Sequence, residues 1–450
     1  MDEDLTRTFA SFASALRFED IPIRVRERCK DLLLDALACA LAGYEGEDRP
    51  KVSRFAAALG QSQESSIIGG GRLTLTGATA LNGFLITSVS LCDVYRPTAT
   101  HLQPVVVPPA LAIAERENAS GRELLTALAA GFEVTTRIGA GLDYRAFRSR
   151  GWHSPGVIGP FGAAAAAGRL LQFDPDKMAM AFGLAGSQAA GTFAAWGTSS
   201  VKFHQFRGAL SGLMAALLAE QNFVATREFL TAPDGGFYAT YSGGAPADAA
   251  TEGLGARWEL EQIALRPWPT SAANQAFVSA LFELIQQHDL KALAVSRLHI
   301  HLSQASFDAY AHRRGISGKW EASGSVYYTA AIVLFDRELW MDQFEPARFN
   351  DPEVRHFALE QVELIADAAL SGVQAIVDVE MKSGVVFTAR CDAPKGTAEN
   401  RMTRAEIEAK FRKGAQGRLD SAPVASVLDT ITHIEELQSV RTLMDVLRAG

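Results

Sequence analysis

The chain has 450 residues, 48% of them hydrophobic and 21% charged, with a formal charge of −8. That length allows two domains and a core large enough to need no disulfide. The acidic balance argues against nucleic acid as a partner, because phosphate binding requires a basic face, and it means that any site for acids must gather positive charge locally.

The opening residues MDEDLTRTF are acidic and no apolar segment follows them at once, so no secretion signal is read there. Residues 22–43 read as a helix, with Pro22 near its start and Gly43 at its end. Its apolar run 32–43 (LLLDALACALAG) is too short to cross a bilayer and is interrupted by Asp35, which points to a core helix of a cytoplasmic protein with no membrane partner. Cys29, Cys39, Cys92 and Cys391 form no C-x-x-C pair and read as apolar residues rather than metal or redox groups. Gly69-Gly70-Gly71 lacks the spacing of a dinucleotide loop and reads as a turn.

Further helices are predicted at 77–91, 105–118, 121–140, 161–171 and 175–190, the last capped by Asp174 with Pro175 in its first turn. Another follows at 207–221, where Gly208, Ala209, Ser211, Gly212 and Ala215 would let neighbouring helices come close. Near Leu265 the pattern changes. Residues 295–303, 373–381 and 384–391 alternate as strands, the last two joined by a hairpin at Lys382-Ser383-Gly384. Helices are expected at 276–288, around 325–336 and at 352–366. After a polar linker at 392–404 the tail returns to helix, at 404–415 and 430–448. The fold expected is mostly α: a large all-helical domain over 1–265, completed by 396–450, and a smaller α+β domain over 266–395.

Three segments carry candidate chemistry. His153 lies in 151–156 (GWHSPG), just before an apolar helix whose free N–H groups would suit a carboxylate, although a packing or capping histidine fits equally. Residues 202–207 (KFHQFR) bring Lys202, His204 and Arg207 to the start of a small-residue helix. They could hold two carboxylates, with the lysine serving as a base, or form a solvated basic turn. The loop 93–101 (DVYRPTATH) mixes Asp93 and His101 with hydroxyls. His299 and His301 would share one face of a strand but have no third ligand nearby, so no metal site is read there. A G-x-S-x-G elbow, a Walker loop and an H-E-x-x-H helix are all missing from the sequence.

Taken in order, these segments resemble the MmgE/PrpD family. GWHSPGVIGPFGAAAAAGRLL is similar to its G-[WF]-H-x-T signature and following helix. AFGLAGSQAAG at 181–191 is similar to its A-x-G-[IL]-A-x-S-x-x-x-G, and VKFHQFRGALSGLMAALLAEQNF to its K-x-x-H segment. LLLDALACALAG, SGSVYYTAAIVLFD and NRMTRAEIEAKFRKGA also fit, so the likeness runs from about residue 8 to the end. The resemblance implies a cofactor-free and metal-free homodimeric enzyme that moves a proton beside a carboxylate of a small di- or tricarboxylic acid. Loss of water, loss of carbon dioxide or isomerisation would follow. It implies catalytic roles for His153, Lys202, His101 and Asp93, and substrate contacts from His204, Arg207, Arg266, Gln275 and Tyr328. The chain departs from the family pattern in places. Ser90-Leu91-Cys92-Asp93 keeps only the last acid of D-x-D-D. In RPWPTSAANQ, Arg266 stands for lysine, Ser271 for cysteine and Gln275 for histidine. Glutamine cannot exchange a proton near pH 7. A lyase is the leading expectation. An epimerase or double-bond isomerase, and a non-catalytic paralogue that binds a small acid, are the alternatives.

Overall fold

The computed structural model describes residues 4–60 and 62–448. The chain divides into two compact units, one of residues 1–88, 92–264 and 403–450, the other of 89–91 and 265–402.

The first unit opens with helices α1 (Leu5–Ala15), α2 (Ile23–Ala42), α3 (Arg49–Ala58) and α4 (Leu75–Thr87). There follow α5 (Gln103–Arg116), α6 (Gly121–Ala140), α7 (Tyr144–Ser149), α8 (Ser154–Val157), α9 (Gly159–Leu170), α10 (Pro175–Gly186), α11 (Ser200–Glu220) and α12 (Phe237–Tyr241). The unit is not wholly helical. Two-residue strands β1 (Ser65–Ser66) and β2 (Arg72–Leu73) pair around the triglycine turn, and β3 (Val94–Tyr95) pairs antiparallel with β4 (Ile263–Ala264). Helix α4 stops before residue 91, where Ser90 takes a left-handed conformation (φ 56°) that a helix cannot continue through.

Small residues set the helix spacing. A Cβ on Gly162 of α9 would lie 1.7 Å from Thr135 Oγ1 of α6, and one on Gly212 of α11 would lie 2.2 Å from Ala163 Cβ of α9. Burial of charge is matched by pairing. Asp35 on α2 is fully buried and meets the Lys410 ammonium at 2.6 Å. The buried Glu133–Arg137 pair on α6 binds the backbone of residues 249–260, Glu133 accepting from the N–H groups of Glu259 and Leu260.

The second unit holds α13 (Gln275–His288), β5 (Val295–Leu302), α14 (Gln304–Tyr310), α15 (Lys319–Gly324), α16 (Val326–Asp336), α17 (Pro346–Phe349) and α18 (Pro352–Glu360). It ends with β6 (Val362–Ala366), β7 (Ala375–Met381) and β8 (Val386–Cys391). The sheet order is β6-β5-β7-β8. β6 runs parallel to β5, and the other neighbours are antiparallel. The helix expected over 352–366 is therefore half helix and half strand. Leu298, Ile300, Val377 and Val379 turn inward onto a core shared with α13 and α16.

The tail returns to the first unit as α19 (Arg404–Ala415), α20 (Ser421–Thr432) and α21 (Val440–Val446). The single helix expected at 430–448 is broken by a 3-10 turn over Ile434–Glu436, after which Ser439 caps α21. Among the described residues no helix is long and apolar enough to cross a membrane.

Candidate active site

His153 directly precedes α8, a single turn of four residues, so no long dipole stands behind it. What holds it is a second loop. His153 N–H donates to the Gly191 carbonyl (3.0 Å), Phe193 N–H to Gly151 (2.7 Å) and Ala190 N–H to Gly156 (3.1 Å). The Phe193 ring packs edge-on against the imidazole. Gly191 has φ 123°, and a Cβ there would lie 3.0 Å from the His204 ring. The last glycine of the 181–191 motif thus makes room for a histidine.

That histidine comes from the first turns of α11. His153 Nδ1 and His204 Nδ1 are 2.9 Å apart, and both residues are buried. Burial is the main cause that lowers both pKa values. His153 falls to about 3, with further repulsion from His204, His101 and Arg148, and His204 is depressed next by Arg207. Both rings are therefore neutral near pH 7. A hydrogen bond between two neutral Nδ1 atoms needs one donor and one acceptor, so the rings hold opposite tautomers. One then presents a bare Nε2 and the other an Nε2–H, a base and an acid joined by a shared proton.

Arg207, expected to contact substrate, is bonded to the protein's own backbone. Its guanidinium donates to the carbonyls of Gln188 (2.6 Å), Gly156 (2.7 Å) and Ala190 (2.7 Å) and to Ser211 Oγ (3.1 Å). It fastens the His153 loop and the 188–190 segment to α11. Lys202 lies two residues before His204, about 200° around the helix. Its ammonium, half-buried, donates to the Ser88 carbonyl at the end of α4.

The third segment folds round Asp93, which is fully buried. Its carboxylate accepts the N–H groups of Leu102 and Gln103, both at 3.0 Å, and so caps α5. Burial, then Cys92, pushes the carboxyl up to about 7 against the pull of His101 and the two N–H donors. His101 Nδ1 bonds the Asp93 carbonyl. The same loop reaches the His153 turn, where Ser154 Oγ donates to the Thr98 carbonyl at 2.7 Å. Ligand atoms of Cys92, Asp93 and His101 lie within 4.8 Å of one another, a grouping a metal could in principle use. The bonding opposes it. A carbonyl can only accept, so His101 Nδ1 carries a proton, and the Asp93 oxygens already accept two N–H groups.

In the second unit, Arg266 Nη1 donates to the Thr270 carbonyl, and Gln275 Nε2 to the carbonyls of Trp268 (3.1 Å), Thr270 and Ser271. Both side chains brace the turn they flank, and the buried Gln275 Oε1 has no hydrogen-bond partner. Tyr328, expected to contact substrate, is instead a fully buried core residue whose hydroxyl donates to the Gln343 carbonyl. His301 pairs with Asp378 (2.8 Å) and lies 3.9 Å from Asp367, and His299 faces Glu363 (3.5 Å).

Residues 7–250 match the model of the MmgE/PrpD N-terminal domain, and residues 268–435 match that of the MmgE/PrpD C-terminal domain. The chain belongs to the MmgE/PrpD family. It is 29% identical to the cis-aconitate decarboxylase-like protein oryM of Aspergillus oryzae, over 99% of this chain and 97% of that one. It is 26% identical to the cis-aconitate decarboxylase of Homo sapiens (100% and 95% covered) and 27% identical to that of Aspergillus terreus (98% and 96%).

Within this MmgE/PrpD chain, His204 emerges as the partner of His153, although the sequence suggested only a substrate contact for it. Spacing carries no signal of the pair, because 51 residues separate the two. Gln103, which joins Asp93 to α2, was not singled out either. An apolar helix opening with a polar residue beside a proline gives no hint of a buried bond.

Proposed function

We propose that this protein is a lyase acting on a small di- or tricarboxylic acid, with loss of carbon dioxide from an acid of the cis-aconitate type as the leading reaction. The observation that carries this reading is the buried His153–His204 pair, in a chain similar over its full length to proteins named cis-aconitate decarboxylase. When a carboxylate leaves as carbon dioxide, the bonding electrons stay on carbon and a proton must be delivered there. The ring bearing Nε2–H gives that proton and takes the shared one across the Nδ1–Nδ1 bond. The other ring takes a replacement proton from solvent at its own bare Nε2, which leaves the pair neutral with its two tautomers exchanged, and the reverse transfer resets it for the next turnover. Lys202 is the proposed cation for a substrate carboxylate. His101, held by the Asp93 carbonyl, is a second proton carrier, and Asp93 positions it.

Incubation of the purified protein with a panel of di- and tricarboxylic acids, read by mass, tests the proposal. A loss of 44 mass units marks decarboxylation and a loss of 18 marks dehydration. Solvent deuterium uptake without mass loss would replace the lyase by an isomerase, and binding without change would point to a non-catalytic paralogue. Lys202→Ala should lose turnover with the fold intact, whereas full activity in that variant would remove the lysine from the mechanism.

The reading includes a homodimer in the cytoplasm. The outward side of α11 exposes Phe203, Met214 and Leu218, followed by Phe223 and Val224 beyond its end. Exposed apolar side chains aligned on one side of a helix call for cover, and a second copy of the chain is the proposed cover. Sedimentation of the wild type against Met214→Glu/Leu218→Glu tests it, and a monomeric wild type would discard it.

A further inference from the structure

From the structure we infer that Lys410, on the C-terminal helix α19, is a positioning residue for His101, acting through a buried chain of hydrogen bonds by way of Asp35, Gln103 and Asp93. The inference rests on the proposed role of His101. Lys410 Nζ meets Asp35 Oδ1 at 2.6 Å. Asp35 Oδ2 accepts from Gln103 Nε2 at 3.0 Å, and the same amide nitrogen donates to the Leu32 carbonyl at 3.0 Å. Gln103 Oε1 accepts the Asp93 backbone N–H at 3.2 Å, and the Asp93 carbonyl holds His101 Nδ1. Lys410, Asp35, Gln103 and Asp93 are all buried, the last three with essentially no exposure.

Direction along this chain is set by the groups around the Gln103 amide, whose NH₂ donates to Asp35 Oδ2 and the Leu32 carbonyl and whose oxygen accepts from the Asp93 N–H. Reversing the Gln103 amide would put its oxygen against the Asp35 carboxylate and the Leu32 carbonyl, three acceptors facing one another, and its NH₂ against the Asp93 N–H. The Asp35 and Leu32 oxygens on one side and the Asp93 N–H on the other forbid this, and the Lys410 ammonium, 2.6 Å from Oδ1, holds the Asp35 carboxyl in place. Removing the ammonium takes away the partner of Asp35 Oδ1 and lets that carboxyl shift, which loosens its bond to Gln103 and, through the Gln103 bond to the Asp93 N–H, the residue whose carbonyl aims His101. The groups facing Asp35 are Lys410, Gln103 and Cys39 (Sγ at 3.7 Å), and those around His101 are Cys92, Asp93 and His153. The position of α19 in the first unit is thereby given a purpose beyond covering the apolar side of α2.

Kinetics of Lys410→Met, Lys410→Arg and Gln103→Met on the accepted substrate test the inference, with Arg404→Ala as the packing control. Arg404 binds Asp31 across the same helix pair but lies off the chain of bonds. Lys410→Met and Gln103→Met should each lower kcat about tenfold or more with KM little changed, and the double variant should lose no more than either alone. Lys410→Arg should keep most of the activity, and Arg404→Ala all of it. If Lys410→Met does not fold, Gln103→Met, which leaves the Asp35–Lys410 pair in place, carries the test. The titration of the His101 ring signals by NMR should shift in both variants and stay put in Arg404→Ala. Wild-type kcat with an unmoved His101 titration in folded variants overturns the inference, as do losses matched by Arg404→Ala. His101→Gln separates the two readings. If that enzyme keeps full turnover, the catalytic role of His101 falls, and the positioning chain is judged on the NMR titration alone.

Discussion

His153 and His204 face each other Nδ1 to Nδ1 at 2.9 Å, each removing the other's choice of tautomer. Replacing His204 by phenylalanine keeps the apolar packing but leaves His153 without a partner to fix its proton. We expect kcat to fall by roughly 10²-fold, within the range of general acid–base effects, with KM changed less than about threefold. Glutamine at the same position can donate and accept, and should recover part of the loss without relaying a proton. Steady-state kinetics of the two variants check this. Equal, wild-type rates would show that the pair is only packing.

Stability should respond to pH through two buried histidines and, in the opposite sense, a buried aspartate. His153 has its pKa lowered from 6.5 to about 3. Between those values the unfolded chain holds a proton that the folded one does not, so stability is lost as pH falls through that window. His204, also lowered, adds to the same slope. Asp93 is raised from 3.8 to about 7, so from about pH 4 to 7 the folded state holds the extra proton and stability falls as pH rises. The contributions offset each other around pH 5. His153→Phe should therefore become relatively more stable toward pH 4.5, and Asp93→Asn relatively less, each compared with its own value at pH 7.5. Thermal melts across that range read the sign directly.

Arg207 donates to three carbonyls, of which Gly156 also accepts the Ala190 N–H, Ala190 is exposed and Gln188 is half-buried. Arg207→Met should cost about 1–3 kcal/mol of folding stability, chiefly from the half-buried Gln188 carbonyl that loses its donor. Arg207→Lys should recover little, because one ammonium cannot reach a fan of acceptors laid out for a planar guanidinium. Denaturant unfolding measures both. A loss confined to KM, with stability unchanged, would return Arg207 to the role of substrate clamp.

The long helices of the first unit were legible because a one-sided or wholly apolar pattern persists over several turns, as in α2 and α6. The helix expected at 352–366 failed because Val354, Phe357, Ala358 and Val362 keep helical phase while the chain has already turned to pair with β5, a contact made far away in sequence. The same limit applies to the site. His153, Lys202 and the Asp93–His101 loop stood out as chemistry-bearing segments ahead of helices, but residue type could not reveal which groups the fold would spend on itself. Arg207 and Arg266 both look like anion holders in the sequence, and both bind backbone carbonyls in the structure.

Tyr328 presents the clearest contrast between a motif position and a contact. Its ring is fully enclosed among the apolar residues of the second unit, beside Phe344, and its hydroxyl is taken by the Gln343 carbonyl. Burial raises its pKa, so it is neither an acid nor an anion at neutral pH. Tyr328→Phe removes one hydrogen bond and leaves one buried carbonyl without its donor, at a cost of about 1–2 kcal/mol. Turnover measured well below the melting temperature should be unchanged, because the hydroxyl is engaged within the core. A tyrosine that touched substrate would behave in the opposite way, with KM or kcat altered and the melting temperature nearly constant, so one pair of measurements on this variant decides between the two.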